Sequence, residues 1–575
     1  MKIGSFVLLL LFFVSPFTWC LESADLIVFN GKIVSVDEAF RIHSAMAVHE
    51  GRIIVLGSDY EILQHKTNDS TVINLEGKTV LPGLIDSHGH PASASIFEFD
   101  HTVPEMDSIE DVLTYVRSRA EAVKEGEWIW VNQIFLTRLE EERYPTRAEL
   151  DSAAPNHPVV FRTGPDASVN TLALKLCGID AGWQVDDGGP GYAEKDKSTG
   201  EPTGILRGCT RYLSKAKVKK PTQSEHQKAL QALFHDYNRV GIVGVTERDA
   251  DENEIALYQS MREQGALSVR VYLSRHLDPV QPLADIEALL ASIASSPLYH
   301  GDNMLRLCAI KTFSDGGMLT GSAFMRKPWG VSDLYNIADP AYRGTQYIAP
   351  DKLAQIIEAC MKHGVQFTSH CVGDGAVHAF LDACNSLSEK FSVRDKRPVI
   401  CHSNFMSQEA VRLCAELGVA VDIQPAWLNS DARTLTNHFG YERLAWFQPL
   451  KALFDAGAIA GGGSDHMLKL GSTRSINFYD PWLGMYTAIT RKAKWLDQPL
   501  HAEHALSRVE ALRFYTINNA YILQCEQQRG SLETGKLADF IVIDRDFLLC
   551  PVDEIKDIHV IETYLGGRAV YSSSS

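Results

Sequence analysis

The sequence has few cysteines, and none of them lie at the spacing of a zinc-binding or redox motif. Only 11 of the 575 residues are cysteine, and no two of them form a CxxC pair. Small disulfide-rich domains use cysteine much more densely, and cysteine zinc sites need closely spaced pairs. We therefore predict neither a disulfide scaffold nor a zinc site made of cysteines.

An excess of basic residues is also lacking. The chain has 55 Lys and Arg against 72 Asp and Glu, which gives a formal net charge of -17. Proteins that bind nucleic acid through its phosphates rely on clustered Lys and Arg. Because hydrophobic residues make up 45% and charged residues 22%, the chain is not a disordered polyanion but a globular protein. We expect a small-molecule substrate and no nucleic-acid partner.

Long apolar runs are absent except at the N-terminus. Lys2 precedes the run from Phe6 to Val14, and the polar pair Glu22-Ser23 follows it. Such a run is too short to span a bilayer and is typical of a secretory signal peptide. We predict a signal peptide at residues 1–22, export to the periplasm or the secretory pathway, and no stable membrane span after cleavage.

The two ends of the mature chain have the pattern of short antiparallel strands. Apolar and polar residues alternate over Asp25 to Val36 and Ala45 to Gly57, around the turns Asn30-Gly31 and Glu50-Gly51. A similar pattern follows Gly535 near the C-terminus. We predict that residues 23–80 and 528–575 together form one small β-sandwich domain.

The middle of the chain, residues 81–527, alternates apolar β-branched runs with helical patterns, which indicates parallel strands joined by helices. Eight strand candidates occur, the number that a (β/α)8 barrel needs. They are Val80 to His90, Gly241 to Glu247, Ser268 to Ser274, Leu305 to Phe313, Val365 to Cys371, Pro398 to His402, Val419 to Gln424 and Ala458 to Asp465. The fold class is therefore predicted as α/β, a TIM-like barrel.

The segment from about 91 to 240 is too long for one crossover between barrel strands. It contains its own helical patterns, Ser108 to Gly126 and Thr222 to Val240, and the apolar run Pro158 to Arg162. We interpret it as a large insertion after the first strand, placed over the mouth of the barrel.

Polar side chains end five of the predicted strands. Active sites of such barrels lie at the carboxyl ends of the strands. On the first strand, alternation places His88 and His90 on one face, where they could hold one metal ion together. The residues that end the other four strands are Lys311, His370, His402 and Asp465.

Four imidazoles, one carboxylate and one lysine from one barrel predict a divalent metal site with one or two ions. Imidazole nitrogen and carboxylate oxygen suit Zn²⁺ best, while Mn²⁺, Fe²⁺ and Co²⁺ remain compatible. The metal would activate a water molecule, and Asp465 would act as general acid and base. Lys311 would either carry a carbamate that binds metal or act as a cation near the transition state.

The sequence resembles the metal-dependent amidohydrolase superfamily, and within it the long YtcJ-like amidohydrolases that include N-substituted formamide deformylase (amidohydrolase family 3). The resemblance covers nearly the whole mature chain. Its marks are the segments 81–90 (LPGLIDSHGH), 310–316 (IKTFSDG), 464–465 (SD), 515–520 (YTINNA) and 530–540 (GSLETGKLADF). It implies hydrolysis of a non-peptide carbon–nitrogen bond. By resemblance, the family's metal and catalytic positions are occupied by His88, His90, Lys311, His370, His402 and Asp465.

Two positions depart from the pattern of the family. Pro165 stands where relatives often have a histidine in the insertion, and Cys401 precedes His402 where relatives often have a glutamate. Because of the first change, a substrate contact made by that histidine in relatives is not expected in this chain. The second change implies a different environment of the metal ligands. By position alone, Gln424, Trp427 and His466 are further candidates for lining the pocket.

We therefore expect an exported metallo-amidohydrolase that cleaves an amide, formamide or cyclic amide of a small molecule. Two alternatives stay open. The same site could hydrolyse an ester, lactone or carbamate, or the barrel could be a non-catalytic scaffold for signalling. The sequence also leaves open a homo-oligomer.

Overall fold

The computed structural model describes residues 23–132, 134–164, 166–186, 191–213 and 220–573. The predicted signal peptide lies outside these ranges, and so does Pro165. Within them, no helix combines the length and the apolar character that crossing a membrane would require.

The centre of the fold is an eight-stranded sheet in which all neighbouring strands are parallel. This confirms the predicted barrel. In chain order, which is also their order around the sheet, the barrel strands are Leu84–Gly89, Ile242–Ala250, Arg270–His276, Leu305–Phe313, Gln366–Cys371, Val399–His402, Ala420–Ile423 and Ala460–Gly462.

The barrel closes between the first strand and the segment that follows the eighth. The backbone N–H of Asp465 donates to the carbonyl of His88 over 2.7 Å, and the N–H of His90 donates to the carbonyl of His466 over 2.8 Å. Closure thus fixes Asp465 next to the two histidines of the first strand.

Helices connect the barrel strands and cover the outside of the sheet. Two of them, Pro350–His363 and Gln408–Leu417, end at the left-handed glycines Gly364 and Gly418, as helix C-caps commonly do. The other main helices of the barrel are Glu252–Glu263, Leu283–Ser295, Asp374–Ser386, Pro425–Phe439, Leu450–Asp455, Pro481–Thr490, Arg508–Tyr515 and Ile517–Ile522.

Both ends of the described chain contribute to a pair of sheets that pack against each other. The first sheet has the order Arg52–Gly57, Ala45–His49, Leu26–Phe29, Thr71–Asn74, and the second has the order Arg568–Ser572, Val560–Leu565, Phe540–Ile543, Thr79–Pro82, Lys32–Val34, Ile42–His43. Leu26 and Met46 of the first sheet share a buried core with Val80 and Phe540 of the second. The exact domain boundaries given by the sequence stay a prediction.

The segment between the first two barrel strands forms a five-stranded sheet of its own, in the order Tyr192–Lys195, Pro202–Arg207, Asp166–Val169, Val159–Thr163, Ile129–Asn132. Its helices are Pro91–Ser95, Ile109–Ala122, Arg147–Ala153, Thr171–Cys177 and Gln223–Arg239. Val112, Val131 and Phe161 belong to a separate hydrophobic core on one face of this sheet. We call residues 91–240 the insertion.

One strand prediction joined two strands that belong to different sheets. The apolar run from Val80 to His90 is divided at Gly83 into Thr79–Pro82, which pairs with Phe540–Ile543, and Leu84–Gly89, the first barrel strand. A Cβ atom at Gly83 would lie 2.4 Å from the Val243 side chain, so the chain passes the second barrel strand at a point with no room for a side chain.

Candidate metal centre and active site

The four histidines predicted from the strand ends lie together at the mouth of the barrel. The ring centroids of His88 and His402 are 4.6 Å apart, those of His402 and His370 are 4.6 Å apart, and those of His88 and His90 are 5.6 Å apart. We call these four residues the imidazole cluster. His88 and His402, which are more than three hundred positions apart in the sequence, therefore meet because all strands of the closed parallel sheet end at the same mouth of the barrel.

The carboxylate of Asp465 lies against two of these rings. Its Oδ1 atom is 3.3 Å from Nε2 of His90 and 3.7 Å from Nε2 of His88. Asp465 has a backbone φ of +54°, in the left-handed region that aspartate adopts more readily than most residues. His402 also has a left-handed φ, of +76°. Strained backbone of this kind concentrates at functional sites.

A hydrogen bond at Nδ1 orients each of three rings in the imidazole cluster. His88 Nδ1 lies 2.9 Å from Asp422 Oδ2, and His370 Nδ1 lies 3.0 Å from Asp315 Oδ1. The third ring, His402, has Nδ1 at 2.9 Å from Oε1 of the Gln424 side chain. Because an oxygen acceptor at Nδ1 keeps the proton there, the lone pair of Nε2 is free to bind a metal ion.

The donor set fits a divalent cation. His88 Nε2 is buried and has no hydrogen-bond partner among the described residues, a costly arrangement unless another group binds it. Ligand atoms of His88, His90 and Asp465 lie within 4.8 Å of one another. Burial, followed by the positive charge of Lys311, lowers the pKa of His88 well below its usual value, so this ring is in the neutral form that binds metals.

The electrostatics at His90 favour a positive charge between this ring and its acidic neighbours. Burial opposes protonation of His90, but the carboxylates of Asp465 and Glu247 outweigh burial and raise the pKa of His90 to about 10. Glu247 accepts hydrogen bonds from the backbone of Ala92 and from the hydroxyl of Tyr258, which hold it in place. A metal cation bound beside His90 would balance the negative charge of Asp465 and Glu247 in the same way as the proton does.

Lys311 lies in the same cavity as the imidazole cluster and is 1% exposed. Its Nζ atom is 5.3 Å from the centre of the Phe313 ring. The thiol of Cys401, at the position where relatives often have glutamate, is buried beside Lys311, and burial raises the pKa of this thiol despite the lysine charge. A neutral thiol gives Lys311 no carboxylate partner on the sixth strand.

Sequence reasoning missed the buried charged residues behind the imidazole cluster. Asp422 accepts hydrogen bonds from Ser87 and Gln424 in addition to His88, and the guanidinium of Arg248 lies 3.4 Å away. Burial raises the pKa of Asp422, and the charge of Arg248 opposes that rise. A signal was present, because Asp422 interrupts an apolar strand, where an unpaired carboxylate would be costly.

Two further aspartates hold the backbone around the site. Asp315 accepts from the N–H groups of Phe324, Val372 and Gly373 as well as from His370. Asp86 accepts from the N–H of His88 and from Ser464, and burial raises its pKa to about 7. Both lie in segments that carry the resemblance to the amidohydrolase superfamily, 81–90 and 310–316.

The three further lining candidates have different positions. Trp427 lines the cavity. Gln424 is fully buried and bonds His402 and Asp422, so it supports the cluster from behind. His466 is wrong as a lining residue, because its ring is buried against the Tyr237 hydroxyl and the carbonyls of residues 468 and 469.

The imidazole cluster and Asp465 line one end of a cavity of about 740 Å³. The rest of the wall comes from the insertion and from the loops after the barrel strands, and it is mainly aromatic and aliphatic. A mostly apolar cavity with a few converging polar groups is typical of a small-molecule site.

Comparison with protein families identifies the chain. The profile of the amidohydrolase family matches residues 71–571. The chain belongs to the amidohydrolase family. The chain is accordingly a hydrolase acting on carbon–nitrogen bonds, which agrees with the resemblance seen in the sequence and with the barrel.

Two curated relatives match over nearly the whole chain. N-substituted formamide deformylase of Arthrobacter pascens is 27% identical over 96% of this chain and 99% of its own length. The putative amidohydrolase YtcJ of Bacillus subtilis is 26% identical over 92% of this chain and 96% of its own length. An uncharacterized metal-dependent hydrolase from Pyrococcus horikoshii has the same fold, with a TM-score of 0.66, 22% identity, and coverage of 92% of this chain and 99% of that one.

Proposed function

We propose that this protein hydrolyses an amide, a formamide or a cyclic amide of a small molecule, with a divalent cation at the imidazole cluster and Asp465 as general acid and base. One observation carries the proposal. Asp465 Oδ1 lies 3.3 Å from His90 Nε2 and 3.7 Å from His88 Nε2, and in the described part of the chain the latter atom is buried without a hydrogen-bond partner. Nitrogen and carboxylate donors at these separations favour zinc.

The roles of the residues follow from their positions. A cation held by His88 and His90 would polarise the substrate carbonyl and make a water molecule more acidic. Asp465 would accept a proton from the attacking water and pass it to the nitrogen, because an amine leaves much more readily than an amide anion. Asp422, Asp315 and Gln424 would keep the rings oriented throughout the reaction.

Lys311 has two proposed forms. As an amine, it would stabilise the negative charge that develops on the carbonyl oxygen. As a carbamate formed with CO2, it would supply a carboxylate that binds a second cation. An electron-density map at Lys311 Nζ distinguishes the forms, because the carbamate adds three atoms.

The name of the Arthrobacter relative supports an amide or formamide substrate. The test is the Asp465→Asn variant, assayed on amides, formamides and matched esters together with its metal content. We expect the four histidines to retain the ion and the turnover of amides to fall by about 10²–10⁴-fold. Asp497→Asn, at an exposed position away from the site, is the matched control.

Three results would count against the proposal. Wild-type turnover by metal-loaded Asp465→Asn would remove Asp465 from the chemistry. Turnover of esters with none of amides would favour the ester or lactone alternative. A freshly purified wild-type protein without metal and without turnover would favour the scaffold.

We also propose that the protein is exported. The support is the apolar run at Phe6 to Val14 and the polar residues that follow. N-terminal sequencing of the protein from cells that produce it naturally should give a mature chain that starts near residue 23, and a chain that retains Met1 would contradict export through cleavage.

A further inference from the structure

The cavity that contains the imidazole cluster has an outer part that is almost uncharged. Its wall there includes the aromatic side chains of Phe97, Trp130, Phe135 and Trp427. Aromatic walls favour a flat or bulky apolar body over a small polar one. The part of the substrate remote from the scissile bond should therefore be apolar.

One charged residue lines this outer part, Arg162 of the insertion. Its guanidinium is exposed, and within the described parts of the chain no carboxylate lies within 4.0 Å of it. Its one hydrogen bond there is from Nε to the carbonyl of Gly164, at 3.2 Å. By contrast, three other arginines of the insertion, Arg138, Arg143 and Arg207, each form an ion pair with a carboxylate.

The insertion sheet sets the position of Arg162. Arg162 lies in register with Asn132 on the neighbouring parallel strand, so the two side chains are on the same face of the sheet. Trp130 is two residues before Asn132 and shares that face. A guanidinium, an amide and an indole thus form one wall of the cavity, and all three groups carry N–H donors.

A cation that keeps its donors available in a cavity is a binding group for an anion. The protein as a whole is rich in carboxylates, with 72 acidic residues and a net charge of -17. Arg162 nevertheless pairs with none of those in the described parts of the chain. The planar guanidinium matches a carboxylate with two parallel hydrogen bonds. The polar side chains Asn132 and Thr320 also line the cavity.

We propose that the substrate is an amide whose apolar body carries a carboxylate, and that Arg162 binds this carboxylate while the amide carbon reaches Asp465. This inference rests on the proposed function. Water adds to the amide carbonyl carbon, the carbon–nitrogen bond breaks, and the nitrogen receives a proton from the water, which gives one carboxylic acid and one amine. The carboxylate at Arg162 is not changed by the reaction.

The test compares two substrates that differ only in the carboxylate. N-formylphenylalanine, in both enantiomers, carries the carboxylate, and N-formyl-2-phenylethylamine lacks it. We expect the zinc-loaded wild-type protein to show kcat/KM at least about tenfold higher for one enantiomer of the acid. The Arg162→Gln variant should lose about tenfold or more on the acid and much less on the neutral substrate, and Arg162→Lys should fall between the two.

Binding is measured separately, so that the result does not depend on turnover. Calorimetric titration with 3-phenylpropanoate and with 3-phenylpropanamide should show tighter binding of the acid to the wild-type protein and loss of that preference in Arg162→Gln. Arg568→Gln removes the same charge at an exposed position of the six-stranded sheet and should keep the wild-type preference.

The outcomes separate the two proposals. The wild-type protein could bind the acid more tightly than the amide, lose that preference in Arg162→Gln, and still turn over no amide. This result would support the anion subsite at Arg162 and reject the proposed amide hydrolysis. Turnover of both formamides with equal kcat/KM, or an equal loss on both in Arg162→Gln, would overturn the anion subsite and leave the amidohydrolase in place. Absence of both binding and turnover would overturn both.

Discussion

The Oδ2 atom of Asp422, on the seventh barrel strand, lies 2.9 Å from Nδ1 of His88, on the first. The carboxylate accepts the Nδ1 proton, which leaves Nε2 of His88 as a free donor to a cation. Asp422 itself is held by Ser87, Gln424 and Arg248. The orientation of one proposed metal ligand thus depends on three strands of the barrel, the first, second and seventh, and it can be tested apart from the chemistry.

The Asp422→Asn variant should bind zinc about 10–100 times more weakly, because an amide is a poorer acceptor for the His88 proton than a carboxylate is. Competition with a chromophoric chelator measures the dissociation constant. The exposed Asp497→Asn variant is the control and should bind zinc like the wild-type protein. Unchanged affinity in Asp422→Asn would mean that His88 is not a ligand or that its orientation is set elsewhere.

The Gly463→Ala variant should disturb the metal centre by displacing His88. A Cβ atom at residue 463 would lie 2.7 Å from His88 Cβ and 2.9 Å from His88 N. Overpacking of this kind costs about 1–3 kcal/mol of folding free energy. We expect lower thermal stability and weaker zinc binding together. Gly182→Ala, where the nearest atom would be at 3.4 Å in a loop of the insertion, should change neither. A Gly463→Ala protein with wild-type zinc affinity would show that His88 can move without affecting the ion.

Removal of metal should lower the thermal stability of the folded protein. An ion that binds only the folded state at a free concentration of a hundred times its dissociation constant adds about 2.7 kcal/mol to the free energy of unfolding. Thermal unfolding after dialysis against a chelator, and again after zinc is restored, measures this contribution. The His88→Ala/His90→Ala double variant is the control, since added zinc should not raise its Tm. A wild-type Tm that is the same with and without zinc would contradict the proposed site.

The ion pair between Arg270 and Asp539 should be important for stability rather than for metal binding. Both N–H···O distances are 2.7 Å, and the pair joins the third barrel strand to the segment that enters the six-stranded sheet. Arg270→Met leaves Asp539 buried without this partner and should cost about 3–5 kcal/mol in urea unfolding. Arg412→Met, which removes an exposed partner of Glu416, should cost about 0–1 kcal/mol. Equal losses in the two variants would show that burial of the Arg270 pair has no special effect.

The sequence predicted the residues at the strand ends because they carry a local signal. His88, His370 and His402 each end or nearly end an apolar run, and parallel strands bring such positions to one edge of a barrel. Asp422 has a weaker signal, a carboxylate inside an apolar strand. Its partner His88 lies 334 positions away and meets it only because the sheet closes, so no local pattern identifies the pair.

The division of the run from Val80 to His90 could not be predicted either. Thr79–Pro82 and Leu84–Gly89 are both fully buried, although they belong to different sheets. A continuous apolar pattern does not distinguish one long buried strand from two short ones. Gly83 marks the division through its close approach to Val243, a contact that depends on the fold. The outer cavity wall, with Arg162, follows from the placement of the insertion, which sequence patterns do not give.

The most direct test of the proposed metal centre is to locate the bound ion by anomalous X-ray scattering at the zinc edge, on crystals of the zinc-loaded protein. We predict an anomalous peak about 2.0–2.1 Å from Nε2 of both His88 and His90, with a carboxylate oxygen of Asp465 within about 2.2 Å. A zinc-loaded crystal with no peak at these atoms, or with its peak on other residues, would contradict the metal centre on which the proposed hydrolysis depends.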